Sequence, residues 1–319
     1  MLKVVITTLL PLFLMVLAGW FAQRKSMLPK NSSKTLNDFV FFFTLPALLF
    51  SSLATTPIEE IFQIRFATAY TMSMIISYLC MFGISSWLFK ACGPVSCIRS
   101  ASASLPNSAF LGLPIIISLF DNTHETLVIV TLSILLPTAI VMLIVTQFEM
   151  YQNADGKGRA AVLRNVGFSL IKTPGILMAF AGIAVSLCGL HIPAFLTDSM
   201  QSFGMASVPC TLFAIGMLIA QLDPKLNLKS VLSVNLMKLI IQPALAATLL
   251  YAFGITGKTL VIGALLAGMP SAPLACVFSQ VYNAGESETS ATVFISMLVY
   301  IPVFWGIITI ANGFGVAFG

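Results

Sequence analysis

Charge is the scarcest property of this chain. Asp, Glu, Lys and Arg make up 8% of its 319 residues, against roughly 25% in an ordinary soluble domain. With 58% of residues hydrophobic, that deficit excludes a water-soluble globular fold. Histidine is also scarce: there are two, His124 and His191, both in short loops between apolar runs. The six cysteines (Cys80, Cys92, Cys97, Cys188, Cys210 and Cys276) show no metal-type spacing. Most sit in or beside apolar runs, where cysteine behaves as a small hydrophobe, so no disulfide framework is expected. Nothing gathers His, Asp, Glu, Ser or Cys into a catalytic constellation at membrane depth, which argues against an integral membrane enzyme. The net charge of +5 comes from basic residues spread over short loops. It reads as membrane topology, and no nucleic-acid partner is expected.

What the chain has in abundance is long apolar runs, each a candidate membrane helix. Ten are counted, at about 4–22, 36–54, 64–89, 100–120, 125–148, 168–189, 200–220, 230–254, 259–280 and 289–312. The first is long for a signal peptide, and Gln23-Arg24-Lys25 after it lacks a small-residue cleavage site, so it is read as a helix. Loops are short. The longest polar stretch runs from Glu149 to Asn165, and its segment Asn153-Ala154-Asp155-Gly156-Lys157-Gly158 is a plausible hinge between two halves. Trp20, Trp87 and Trp305 fall near span ends, as interfacial anchors do.

Lysine and arginine placement sets the expected orientation. Odd-numbered loops carry Arg24, Lys25, Lys30, Lys34, Lys90, Arg99, Lys157, Arg159, Arg164, Lys172, Lys225 and Lys229. The opposite side carries only Lys3, Arg65 and Lys258, together with the acids Glu59, Glu60, Asp121, Glu125 and Asp198 and both histidines. The odd loops are therefore expected to be cytoplasmic, with both termini outside.

The two halves align at an offset of 163 residues. Pro11 to Gly19 meets Pro174 to Gly182 with five of nine positions identical. Pro46 then falls on Pro209, Leu49 on Leu212 and Phe50 on Phe213; one residue further on, Pro106 falls on Pro270. Five spans per half is an odd number, so the second half enters the membrane from the other side. The expected units are 1–155 and 156–319, an inverted repeat of the kind many secondary transporters use. Pro106 and Pro270 each interrupt an apolar span. A proline there frees backbone groups that lipid cannot satisfy, which points to a binding site between broken helices.

Several segments resemble the auxin efflux carrier family, which includes bacterial malonate transporters and belongs with the bile-acid, auxin and arsenite-type carriers. They are Asn37-Asp38-Phe39-Val40 leading into Leu45-Pro46-Ala47-Leu48-Leu49-Phe50; Leu105 to Pro114; Lys238-Leu239-Ile240-Ile241-Gln242-Pro243; and Met269-Pro270-Ser271 through Val281-Tyr282-Asn283. The resemblance covers the whole chain. It implies an all-α integral membrane fold: ten helices in two inverted five-helix repeats, with broken helices 4 and 9 crossing at the centre and a scaffold set moving against a panel set. Plant members have a long central loop. The short one here resembles the bacterial branch, which places the protein in a bacterial cytoplasmic membrane.

The candidate site follows. N-terminal ends of half-helices suit an anionic group. Ser104, Asn107 and Ser108 on one side and Ser271 on the other, beside Pro106, Met269 and Pro270, are small or polar enough to hydrogen-bond a carboxylate; capping of freed backbone is the other reading. Lys238 lies about 12 Å inside the eighth span. It either snorkels toward the cytoplasm, supports the crossover backbone or balances a bound anion. No acidic pair stands at the crossover. Asp38, at the start of the second span, is the nearest carboxylate, and it also suits the helix N-terminus. The expected function is secondary transport of a small organic anion, malonate or a similar carboxylate, by alternating access. A sodium-coupled symporter of bile-acid type and an auxin-like exporter driven by membrane potential are the alternatives. No cofactor is expected; H+ and Na+ both stand as coupling ions. The partners are the carboxylate and the bilayer, with a homodimer permitted by small lipid-facing residues.

Overall fold

The computed structural model describes residues 2–29, 31–55, 63–112, 115–116, 119–120, 124–152, 174–190, 192–221 and 227–313. The hinge at 153–158, the boundary between 155 and 156, Pro114 and the loop residues Lys30, Glu59, Glu60, Asp121, Lys157, Arg159, Arg164, Lys172, His191 and Lys225 lie outside them. Secondary structure among the described residues is helical, apart from one isolated two-residue bridge.

The helices are α1 (Leu2–Arg24), α2 (Ser32–Phe39), α3 (Leu45–Thr55), α4 (Ile64–Gly83), α5 (Gly93–Ser104), α6 (His124–Leu135), α7 (Pro137–Gln152), α8 (Pro174–Leu187), α9 (Ala194–Met205), α10 (Ser207–Ala220), α11 (Leu228–Leu236), α12 (Gln242–Ala252), α13 (Gly257–Ala267), α14 (Leu274–Val281) and α15 (Glu286–Gly313). Among the described residues four π-helical turns widen the chain, at Val40–Thr44, Ile84–Leu88, Ser108–Gly112 and Met237–Ile241. Two of them have a visible cause. Pro46 and Pro243 each remove the N–H that would bond four residues back, to Phe42 and Leu239, and the helix opens over that residue.

Among the described residues, five continuous helical stretches are long and apolar enough to cross a bilayer: Ser32–Thr55, Ile64–Leu88, Val128–Phe148, Ala194–Ala220 and Leu228–Ala252. A sixth is counted if the pair Glu286–Tyr300 and Pro302–Thr309, bent by 46° at the Pro302 kink, is one span. α5 and α13, with 12 and 11 residues, are different. At 1.5 Å per residue each reaches about 18 Å or less, well short of a hydrocarbon core of about 30 Å. Large apolar side chains face outward, among them Leu14, Trp87, Phe180, Leu232 and Tyr251, as a lipid-facing surface requires.

Glycines permit the closest helix contacts. α1 packs on α10 so tightly that a Cβ on Gly19 would lie 2.0 Å from the Phe213 carbonyl oxygen, and one on Gly216 1.9 Å from that of Val16. α8 packs on α3 in the same manner, with Gly182 against Leu53 and the Phe50 carbonyl at 2.9 Å. Without a hydrophobic drive between helices in lipid, such close approach supplies the dispersion contact that holds them.

Candidate functional site

α5 ends at Ser104, where Pro106 lies two residues ahead, and α13 ends at Ala267, three residues before Pro270. The two extended links that follow run antiparallel and form the isolated bridge, Pro106 opposite Ser271. Asn107 N–H donates to Pro270 O at 3.0 Å, and Ala272 N–H donates to Leu105 O at 2.9 Å. The chain resumes as the π-helical turn Ser108–Gly112 on one side and as α14 on the other. Two half-helices therefore meet by backbone hydrogen bonds in the middle of the molecule, where water cannot serve freed groups.

The remaining freed groups are answered by side chains. Ser102 O accepts from Ser271 Oγ at 2.7 Å, and Ser271 N–H donates to Ser296 Oγ at 3.1 Å. Ser104 O accepts from Gln242 Nε2 at 2.9 Å. Ala267 O accepts from Lys238 Nζ at 2.6 Å, and the same Nζ donates to Gln242 Oε1 at 2.6 Å. Lys238 is fully buried, so it does not snorkel; it braces the crossing backbone. Ser104 Oγ turns back to Ser100 O within its own helix at 2.8 Å, and Met269 Sδ accepts from Tyr300 Oη at 3.0 Å.

Beside the crossing lies a cavity of about 130 Å³. Its walls are largely apolar, with Val40, Leu45, Leu49, Ile134, Val208 and Val277 among them; Pro106, Asn107, Ser108, Ser133, Thr138 and Thr211 also line it. The eight residues singled out in the sequence thus divide. All surround the crossing, but only Pro106, Asn107 and Ser108 line the cavity. Ser104, Lys238, Met269, Pro270 and Ser271 stand behind it, bonded within the crossing or to the helices that flank it.

Three residues at the site were not singled out from sequence. Gln242 relays between Lys238 and the α5 end; its place four residues after a buried lysine was the available signal. Tyr70 and Ser133 had none. The Tyr70 hydroxyl lies beside those of Ser108 and Ser133. All three oxygens are buried and face one another, and among the described residues none has a partner outside the cluster. Hydroxyls that have only one another leave donor and acceptor capacity unused, and two of them, Ser108 and Ser133, line the cavity.

At the α2 end of the cavity wall, Asn37 Nδ2 donates to Gln280 Oε1 at 2.8 Å and Lys34 Nζ to Asn283 Oδ1 at 3.1 Å. Phe148 and Tyr282 stack there with centroids 4.0 Å apart. Nearby, Arg99 is not a free loop charge. It is almost buried and pairs with Glu288 through Nε at 3.0 Å and Nη2 at 2.7 Å, while Nη1 reaches Ser85 Oγ at 3.1 Å. Asp38 is half-buried on α2.

Apolar bilayer-length helices enclosing a crossing of broken ones, with a small cavity at its side, define a multi-pass membrane transport protein. The family model described as Membrane transport protein matches residues 4–308, and the chain belongs to that family, the auxin efflux carriers. A provisionally named malonate transporter of Rhizobium meliloti (strain 1021) is 24% identical over 300 residues, covering 94% of this chain and 93% of its own. The uncharacterized transporter YfdV of Escherichia coli (strain K12) is 23% identical over 94% of this chain and 96% of its own. A provisionally named auxin efflux carrier component 1d of Oryza sativa subsp. japonica is 27% identical over 47% of this chain and 30% of its own. The family is one of transporters, not of enzymes.

Proposed function

We propose that the protein is a secondary transporter of small organic anions, malonate or a similar carboxylate, working by alternating access. The observation that carries this reading is the cavity edge at Pro106-Asn107-Ser108, where a backbone crossing, an asparagine amide and a cluster of three buried hydroxyls converge. A carboxylate accepts several hydrogen bonds at once, and Tyr70, Ser108, Ser133 and Asn107 are donors of the right kind. The provisional malonate name of the Rhizobium relative supports the substrate class.

The reading includes a ten-helix architecture of two inverted repeats, 1–155 and 156–319. Its support is a repeated contact: Gly19 meets the Phe213 carbonyl, and Gly182 meets the Phe50 carbonyl. Gly182 follows Gly19, and Phe213 follows Phe50, by the same 163 positions that align the prolines. A pseudo-two-fold axis relates such pairs naturally. With the basic loops cytoplasmic and both termini outside, in a bacterial cytoplasmic membrane, the Asn37–Gln280 and Lys34–Asn283 bonds close the cytoplasmic end. Alternating access then requires them to part as the panel helices α2 and α3 move against the crossing. A homodimer stays compatible with the exposed apolar surface.

Reconstitution into proteoliposomes tests the proposal. Uptake of labelled malonate or another small carboxylate, saturable and lost in Asn107→Ala, is expected. Absence of flux for every small carboxylate tried would refute it.

A further inference from the structure

We infer that the cavity beside the crossing takes a singly charged carboxylate with a short apolar tail, about five or six non-hydrogen atoms in all, and admits malonate only as its hydrogen-malonate monoanion. This rests on the carrier reading above and narrows its substrate class by charge and by size.

Charge comes first. Among the described residues that line the cavity there is no Asp, Glu, Lys, Arg or His. On the elements that wall it, Lys34 and Asp38 of α2, Arg99 of α5 and Glu125 of α6 are not lining residues. Lys238 is engaged with Ala267 O and Gln242 Oε1 and does not line it either. What remains for an anion is neutral. The Ser207 hydroxyl donates to Gly204 O, and that of Thr211 to Ser207 O at 2.7 Å, so both are spent on their own helices. Ser108 and Ser133 stand together beside the Tyr70 hydroxyl, and Asn107 and Thr138 complete the polar lining. Leu274, the first residue of α14, also lines the cavity, and no side chain caps that helix, so its N-terminus adds about half a positive charge. Neutral donors and one helix end serve one carboxylate. A second would be buried against leucine and valine with nothing to neutralise it, which is costly. Once protonated, that second carboxyl is neutral and the cost falls away.

Size limits the rest. The cavity holds about 130 Å³, and an apolar cavity of about 150 Å³ takes one benzene ring. A guest here is therefore a carboxylate group and about two or three carbons of tail. Leu45, Leu48, Leu49, Val141, Val208 and Val277 are the walls for such a tail. Propionate and butyrate have that shape. Malonate carries a second carboxylate where propionate carries a methyl group, so the two form a minimal pair for charge.

The test is isothermal titration of the purified full-length chain in detergent with propionate, butyrate, hexanoate and malonate, at a series of pH values from above neutrality down to the second ionisation of malonate. At the highest pH, propionate and butyrate are expected to bind at least ~100-fold more tightly than malonate, and hexanoate more weakly than butyrate. As pH falls toward that ionisation, malonate is expected to gain about tenfold in affinity per pH unit while propionate stays level. No described lining residue titrates in that range, and Tyr70 beside the cluster is a phenol, protonated throughout, so the change belongs to the ligand. Leu49→Ala cuts back one wall and is expected to move the preference from butyrate toward hexanoate; if it does not fold, Val277→Ala is read the same way. Malonate bound as tightly as propionate at the highest pH, or a malonate affinity that ignores pH, overturns the inference about charge. Hexanoate preferred by the native protein overturns the inference about size. In both cases the carrier reading stands. Binding by none of the four overturns the inference as a whole, and only the added absence of flux for every small carboxylate in proteoliposomes overturns the carrier reading with it.

Discussion

Asn107 and Pro270, far apart in sequence, are joined by one backbone hydrogen bond of 3.0 Å across the crossing. The Asn107 N–H is spent on that bond, and the residue lines the cavity. The backbone holds the residue still while the side chain faces whatever enters. Preorganisation of this kind lowers the ordering cost of binding.

Asn107→Ala should therefore bind carboxylate more weakly without losing the fold, since the main-chain bond survives. A hydrogen bond to a charged group contributes about 1.5–3 kcal/mol, so the expected loss in affinity is about tenfold to a hundredfold. Isothermal titration or a thermal-shift series with malonate measures it. Equal affinity in the variant and the native protein would place the carboxylate elsewhere.

Tyr70→Phe and Ser133→Ala have unequal expected effects on the empty and the occupied protein. Each removes one hydroxyl of a buried cluster with no partner outside itself, so the empty protein should keep its stability to within about 1 kcal/mol. Carboxylate affinity should fall. Melting curves with and without malonate read both effects in one experiment; a larger loss of stability in the empty variants would show that the hydroxyls serve the fold.

Gly216→Val should separate α1 from α10. A Cβ there would sit 1.9 Å from the Val16 carbonyl oxygen, which is backbone and has nowhere to go. Overpacking of this sort costs about 1–3 kcal/mol, read as a lower melting temperature and poorer recovery from the membrane. Gly83→Ala, where a Cβ meets nothing within 4 Å, is the control and should be silent.

Arg99 and Glu288 should show coupling in a double-mutant cycle. The arginine is nearly buried and the carboxylate 23% exposed, so the pair sits between the surface case and the dry one. Coupling of about 1–3 kcal/mol is expected, above the value of about 1 kcal/mol or less typical at surfaces. Removing the arginine alone should cost more than removing both partners.

Much of this molecule was legible in its residues. The charge deficit and apolar runs establish a membrane protein, because lipid tolerates little else. The motif around Leu105-Pro106-Asn107-Ser108 carries the family, and the prolines mark where the helices break, since no side chain compensates a missing N–H locally. The burial of Lys238 at the crossover was one of three readings open from its depth in the span, and only packing chose among them.

Tertiary structure alone decided the direction of each polar side chain. Ser104, Ser108 and Ser271 look equivalent in sequence, yet one bonds its own helix, one joins the Tyr70 cluster at the cavity and one crosses to Ser102 O. A serine hydroxyl reaches a carbonyl in its own helix as readily as one across an interface. The packing of the segments that carry them therefore decides which it does. Packing likewise brings Tyr70 and Ser133 beside Ser108 and sets Gln242 between two helix ends. The residues supply the chemical groups and the places where helices must break. The packing of distant helices determines which of those groups remain for a substrate and which are consumed holding the crossing together.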